Sequence, residues 1–132
     1  LTGDGKASML MDVDGDGDFD LFVGGRLVPG KYPYPAESVL LINESGRFVK
    51  TPSSKMPELA EMGMVKSAVW IDYDEDGDSD LLVAGEWMPI RLFDNNKGTF
   101  TEVNGENVGL ENTEGWWQSL VSDRAAAEPC LI

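Results

Sequence analysis

The chain has 132 residues, 42% of them hydrophobic and 26% charged, a composition that fits one folded domain rather than a disordered segment. Ten Lys and Arg stand against twenty-four Asp and Glu, and the formal charge of −14 argues against nucleic acid as a partner. No apolar run reaches the roughly 18 residues that a membrane span needs, and the absence of histidine excludes a Ser-His-Asp triad, a Cys-His pair and His-ligated zinc within this chain.

The pattern from the N-terminus predicts short strands near 7–12, 20–25, 38–43 and 47–50, apolar runs separated by Gly, Asp, Asn and Pro. Between the first two lies an acidic loop, Asp12 to Asp20, and between the second and third an insertion around Lys31–Glu37 rich in Pro and Tyr. The stretch Pro57–Met64 is long enough for one helical turn, but a loop is expected there. Further strands are predicted near 66–72, 80–85, 89–94 and 99–103, with a second acidic loop from Asp72 to Asp80. A ninth strand is expected near 116–122. The lone Cys130 forms neither an internal disulfide nor a CxxC site, and no role is assigned to it.

These elements repeat. Ala7-Ser8-Met9-Leu10-Met11-Asp12 aligns with Ser67-Ala68-Val69-Trp70-Ile71-Asp72, and the acidic loops follow in register. Leu21-Phe22-Val23-Gly24-Gly25 then aligns with Leu81-Leu82-Val83-Ala84-Gly85. Asn43 followed by Gly46-Arg47-Phe48 matches Asn95 followed by Gly98-Thr99-Phe100. The first repeat covers about 7–50 and the second about 66–103. A third begins at about 116–123, where Ser119-Leu120-Val121-Ser122-Asp123 repeats Ser8 to Asp12 with no acidic loop after it. Four antiparallel strands per repeat is the signature of a propeller blade. The expected fold is therefore all-β: two four-stranded blades plus the first strand of a third, a partial or composite propeller. Two blades do not close a ring, so a homo-oligomer or a place within a larger propeller is expected.

The acidic loops carry the metal chemistry. Calcium takes about 6–8 oxygen ligands, and aspartates at alternate positions of a tight loop direct their carboxylates to one centre. Asp12, Asp14 and Asp16 occupy positions 1, 3 and 5; Gly17 permits the turn, Asp18 offers its backbone carbonyl, and Asp20 closes the shell. Asp72, Asp74, Asp76, Gly77, Asp78 and Asp80 repeat the arrangement, which gives two expected Ca2+ sites. An EF-hand would need Glu at position 12 and a helix after it; Val23 and Val83 stand there instead, each in a β-type run.

On these residues the chain resembles FG-GAP or VCBS repeats of the integrin-α-like propeller type. The phrases Val23-Gly24-Gly25-Arg26-Leu27-Val28-Pro29-Gly30, Gly85-Glu86-Trp87-Met88-Pro89-Ile90 and Gly115-Trp116-Trp117-Gln118-Ser119 are similar to bacterial VCBS-repeat proteins that often carry an ASPIC/UnbV module and are related to cartilage acidic protein. The resemblance implies calcium in the loop between the first two strands of each blade. It also implies an extracellular, cell-surface or periplasmic setting.

Three function classes remain. A calcium-stabilised binding or adhesion module leads, with a protein or carbohydrate ligand contacted by Trp87, Tyr32, Tyr34 and Trp117, which are flat aromatic faces suited to stacking. Trp70 and Trp116 are expected to fill the space between blades. A carbohydrate-active enzyme would use carboxylates such as Glu86 and Asp94, though no spacing singles out a pair. A self-assembling scaffold would join copies through open blade edges.

Overall fold

The computed structural model describes residues 4–32, 34–52, 56–117, 119–120, 124–125 and 128–129. Strands β1 (Asp4–Met11), β2 (Asp20–Leu27), β3 (Val39–Glu44) and β4 (Arg47–Lys50) form one antiparallel sheet in that order. Strands β5 (Met64–Ile71), β6 (Asp80–Met88), β7 (Arg91–Asn96) and β8 (Thr99–Val103) form a second sheet in the same order. Each sequence repeat is thus one four-stranded meander, and the described residues are nearly all β, with two partial propeller blades and no closed barrel among them.

Register follows the repeat. Leu10 pairs with Leu21 and Met11 with Asp20; sixty residues on, Trp70 pairs with Leu81 and Ile71 with Asp80. Because alternate strand residues point to opposite faces, each sheet carries two apolar rows. One row of the first sheet is Met9, Phe22 and Leu40, and one row of the second is Trp70, Leu81 and Phe93. These rows meet to form the core, with Met9 packed at its margin. Phe22 stands edge-on to Trp70 at 6.5 Å and 79°, and Trp70 lies 6.1 Å from Phe100.

The expected loop at 57–64 is corrected by a short helix, α1 (Pro57–Ala60). Proline at the first turn presets the helical φ without losing a needed donor. Met56, Leu59 and Ala60 share one side and are buried, as is Met62 in the turn that follows. A single helical turn has little stability of its own; packing of this Met-Leu-Ala face onto the sheets makes it.

Strand ends also shift by a few residues from the expected ranges. β6 runs on through Met88, and there it pairs with a two-residue strand β9 (Gly115–Trp116) across a register shift between Glu86 and Met88. The strand expected near 116–122 is therefore this short addition to the second sheet. Residues 118 and 121–123 lie outside the described residues, as do Cys130 and the side chain of Trp116. Strands β10 (Arg124–Ala125) and β11 (Glu128–Pro129) pair with each other. No helix among the described residues is long and apolar enough to cross a membrane.

Candidate metal centres

Each acidic loop joins the first two strands of its blade, β1 to β2 and β5 to β6. The aspartates fold the loop by accepting its backbone N–H groups. Asp12 Oδ1 accepts from Gly15 (2.8 Å) and Asp16 (3.2 Å), and its Oδ2 accepts from Gly17 (3.0 Å). Asp72 repeats this with Asp76 (3.1 Å) and Gly77 (3.0 Å). Gly17 and Gly77 have φ of +93° and +94°, a left-handed conformation that favours glycine.

Asp20 and Asp80 anchor the loops to the sheets. Both are fully buried. Asp20 accepts from the backbone N–H of Val13 (2.9 Å) and of Asn43 (2.8 Å); Asp80 accepts from Tyr73 (3.1 Å) and Asn95 (2.8 Å). One carboxylate in each blade thus binds its loop and its third strand together.

Carboxylate oxygens of Asp72, Asp74, Asp76 and Asp80 lie within 4.8 Å of one another, and so do those of Asp12, Asp14 and Asp20. Asp16 stays outside the first group; its Oδ1 accepts from the Asp18 N–H at 2.8 Å. The side chains of Asp18 and Asp78 join neither group. Convergence has an electrostatic consequence. Burial, with the Asp74 and Asp94 charges beside it, pushes Asp80 up to about 7 against the pull of the Asn95 and Tyr73 N–H groups. Burial likewise raises Asp14 and Asp74, each with neighbouring aspartates adding to the effect. Hard oxygen donors pressed together in this way fit a hard divalent cation, which would remove the repulsion that the protein alone carries.

A second feature lies between the blades. Tyr32, Pro35, Gly63, Met64, Glu86 and Trp87 line a cleft of about 310 Å³. Trp87 is left-handed at φ +57° and occupies the register shift in β6, so its indole is held outward, 66% exposed. Its Nε1–H donates to Tyr32 Oη at 2.7 Å. Two of the four aromatic residues singled out in the sequence are therefore brought together. Tyr34 is exposed outside the cleft, and Trp117 instead donates its Nε1–H to the Thr113 carbonyl at 2.8 Å.

Glu86, at the base of this region, is 1% exposed and holds two cations from different strands. Arg26 Nη2 lies 2.8 Å and Lys66 Nζ 3.1 Å from its Oε1. Burial would raise its pKa, but the hydrogen bonds and charges of Arg26 and Lys66 outweigh burial and hold it below the usual carboxylate value. A carboxylate kept ionised in this way is a poor general acid. Sequence spacing gave no sign of the cluster, because Arg26 and Glu86 are sixty residues apart.

Two four-stranded meanders, each opening on an aspartate loop with glycine at the sixth position, define an all-β repeat protein of propeller-type blades. The FG-GAP-like repeat family matches residues 12–83, more than half of the chain, and the chain belongs to that family. The match runs from the first aspartate of one loop to just beyond the second loop. No match is found among curated proteins.

Proposed function

We propose that the chain is a calcium-binding propeller segment working as an extracellular or periplasmic interaction module, with calcium mainly structural. The observation that carries this reading is the convergence of Asp72, Asp74, Asp76 and Asp80, repeated in Asp12, Asp14 and Asp20. Each group lies where one ion would fasten a hairpin to the third strand of its blade, so binding free energy becomes folding free energy. The narrower likeness to ASPIC/UnbV-associated repeat proteins belongs to the same reading and supports a setting outside the cytoplasm.

The cleft between the blades is the contact surface in this reading. Its apolar walls, Tyr32, Pro35, Met64 and Trp87, suit an apolar side chain of a protein ligand better than a sugar, which needs several convergent hydrogen-bond partners.

Calorimetric titration with Ca2+ tests the metal. Two sites are expected in the native chain and one in each of Asp12→Ala and Asp72→Ala. A chain whose circular dichroism and melting temperature are the same with calcium and with chelator would refute a structural ion. Parallel peptide and glycan arrays test the cleft. Peptide binding that Trp87→Ala abolishes supports the protein-ligand reading; glycan binding alone overturns it.

A further inference from the structure

The buried aspartates of the two loops are joined by an unbroken path of hydrogen bonds. Asp20 Oδ2 accepts from the Val13 N–H at 2.9 Å, and the Val13 carbonyl accepts from the Asn95 side-chain amide at 2.9 Å. That amide also donates to the Ser79 carbonyl at 2.9 Å, and the Asn95 backbone N–H donates to Asp80 Oδ1 at 2.8 Å. Asp20, Val13, Asn95, Ser79 and Asp80 are all buried. Two residues, Val13 and Asn95, thus stand between a carboxylate of one centre and a carboxylate of the other.

A second route runs beside the first. In the turn from β7 to β8, the Lys97 N–H donates to Asp78 Oδ2 of the second loop at 3.3 Å. Gly98, next in that turn, lies against the first loop: a Cβ there would stand 3.3 Å from Asp14 Cβ. The Gly98 N–H donates to Asn95 Oδ1 at 2.8 Å and closes the turn onto the asparagine. One turn therefore touches both loops, by a hydrogen bond on one side and by packing on the other.

We propose that the two metal centres are coupled through Asn95, so that calcium in either loop raises the affinity of the other. The inference rests on the calcium reading of the loops and adds communication between them. A loop whose carboxylates close around an ion loses conformational freedom. Ordering the second loop fixes Asp80 and Ser79, these fix the Asn95 amide, and the amide fixes Val13 beside Asp20. The first loop then has less freedom left to lose when it binds in turn. By linkage the effect is the same in both directions. Charge works the other way, since an ion in one loop repels the next, and salt weakens that repulsion. The sign of the coupling therefore separates the hydrogen-bonded path from electrostatics.

Site-resolved NMR titration of the full chain with Ca2+, at about 0.15 M salt, tests it. The Gly17 and Gly77 amides report the two loops, because each donates to the first aspartate of its own loop. Asp14→Ala empties the first loop and Asp74→Ala the second. Whichever loop fills later in the native chain should lose at least about fivefold in calcium affinity when the other is emptied. Electrostatics alone predicts a gain, because an emptied loop is less positive than a filled one. Asn95→Ala should abolish the loss, whereas Asn43→Ala, which opens the equivalent turn of the first blade, should preserve it. Should Asn95→Ala fail to fold, hydrogen exchange in Asp14→Ala takes its place: calcium in the second loop should still slow exchange of the Val13 amide, and an unchanged rate overturns the proposal. An affinity that stays the same or rises when the other loop is emptied overturns the coupling and leaves the calcium sites standing. A loss that persists in Asn95→Ala overturns the part assigned to that residue. Gly17 and Gly77 amides that both ignore calcium would overturn the calcium reading itself, and the coupling with it.

Discussion

The side-chain amide of Asn95 donates a 2.9 Å hydrogen bond to the backbone carbonyl of Val13, eighty-two residues earlier and in the other blade. The same nitrogen donates to the Ser79 carbonyl at 2.9 Å, while Asn95 Oδ1 accepts from the Gly98 N–H at 2.8 Å. Val13 belongs to the first aspartate loop and Ser79 to the second, so one fully buried amide fastens the two loops.

Asn95→Ala leaves two buried carbonyls without a donor, and each such loss costs about 1–3 kcal/mol. A destabilisation of roughly 2–4 kcal/mol is expected in urea unfolding at saturating calcium. Asn43→Ala, at the half-buried equivalent, should cost under about 1 kcal/mol in a monomeric sample. Equal costs for the two would refute the inter-blade tie.

Calcium should stabilise the chain increasingly as its free concentration rises above the dissociation constant. An ion at about one hundred times its dissociation constant contributes about 2.7 kcal/mol per site. Chelation is expected to lower the melting temperature. Asp80→Ala should lower it even in chelator, because Asp80 also holds the N–H groups of Tyr73 and Asn95. Asp74→Ala, whose carboxylate makes only a local turn contact with Asp76, should differ from the native chain mainly when calcium is present. Differential scanning calorimetry with and without chelator distinguishes the two.

Glu86 gives a pH dependence of known sign. Its folded pKa lies below the ordinary value of 4.5, despite burial, because Arg26 and Lys66 favour the ionised form. The stability it contributes is fully present above that ordinary value and is lost as pH falls through the folded one. Glu86→Gln should destabilise by roughly 2–4 kcal/mol at pH 7, since it strands two partly buried cations. The difference between native and variant should shrink towards pH 3. Other carboxylates titrate in both proteins, so urea unfolding of the pair isolates Glu86; a difference that does not change with pH would show the cluster to be electrostatically neutral.

Gly85→Ala tests how closely the backbones pack at the base of the cleft. A Cβ there would overlap the Met64 carbonyl oxygen, which is backbone and has no room to rotate away. A loss of about 3 kcal/mol or more is expected. Gly30→Ala, where a Cβ meets nothing within 4 Å, isolates the cost of a positive φ alone and should be milder by thermal melting.

Much of the architecture was legible in local pattern. Strand alternation has period two, and eight of the nine expected strands appear near their expected ranges because runs such as Leu81-Leu82-Val83 or Leu40-Leu41-Ile42 suit few other conformations. The acidic loops were equally legible, since Asp12 and Asp72 bond to N–H groups three to five residues ahead. Ligand position was less so: the alternation that named Asp16 does not place its carboxylate with Asp12, Asp14 and Asp20.

What the sequence determined by itself was therefore the repeat, the strands and the two aspartate loops, because each depends on neighbours within one hairpin. Only the tertiary structure decided the rest. The Pro57–Ala60 turn is helical because its Met-Leu-Ala side finds a core to cover. Glu86 is an ion-pair centre because Arg26 comes across from the other blade. The Asn95 amide, the Tyr32–Trp87 cleft and the uneven burial of Leu10 and Trp70 all arise where one blade meets, or fails to meet, another. Those contacts join residues fifty-five or more positions apart or reflect which blade faces are covered, and no local spacing encodes either.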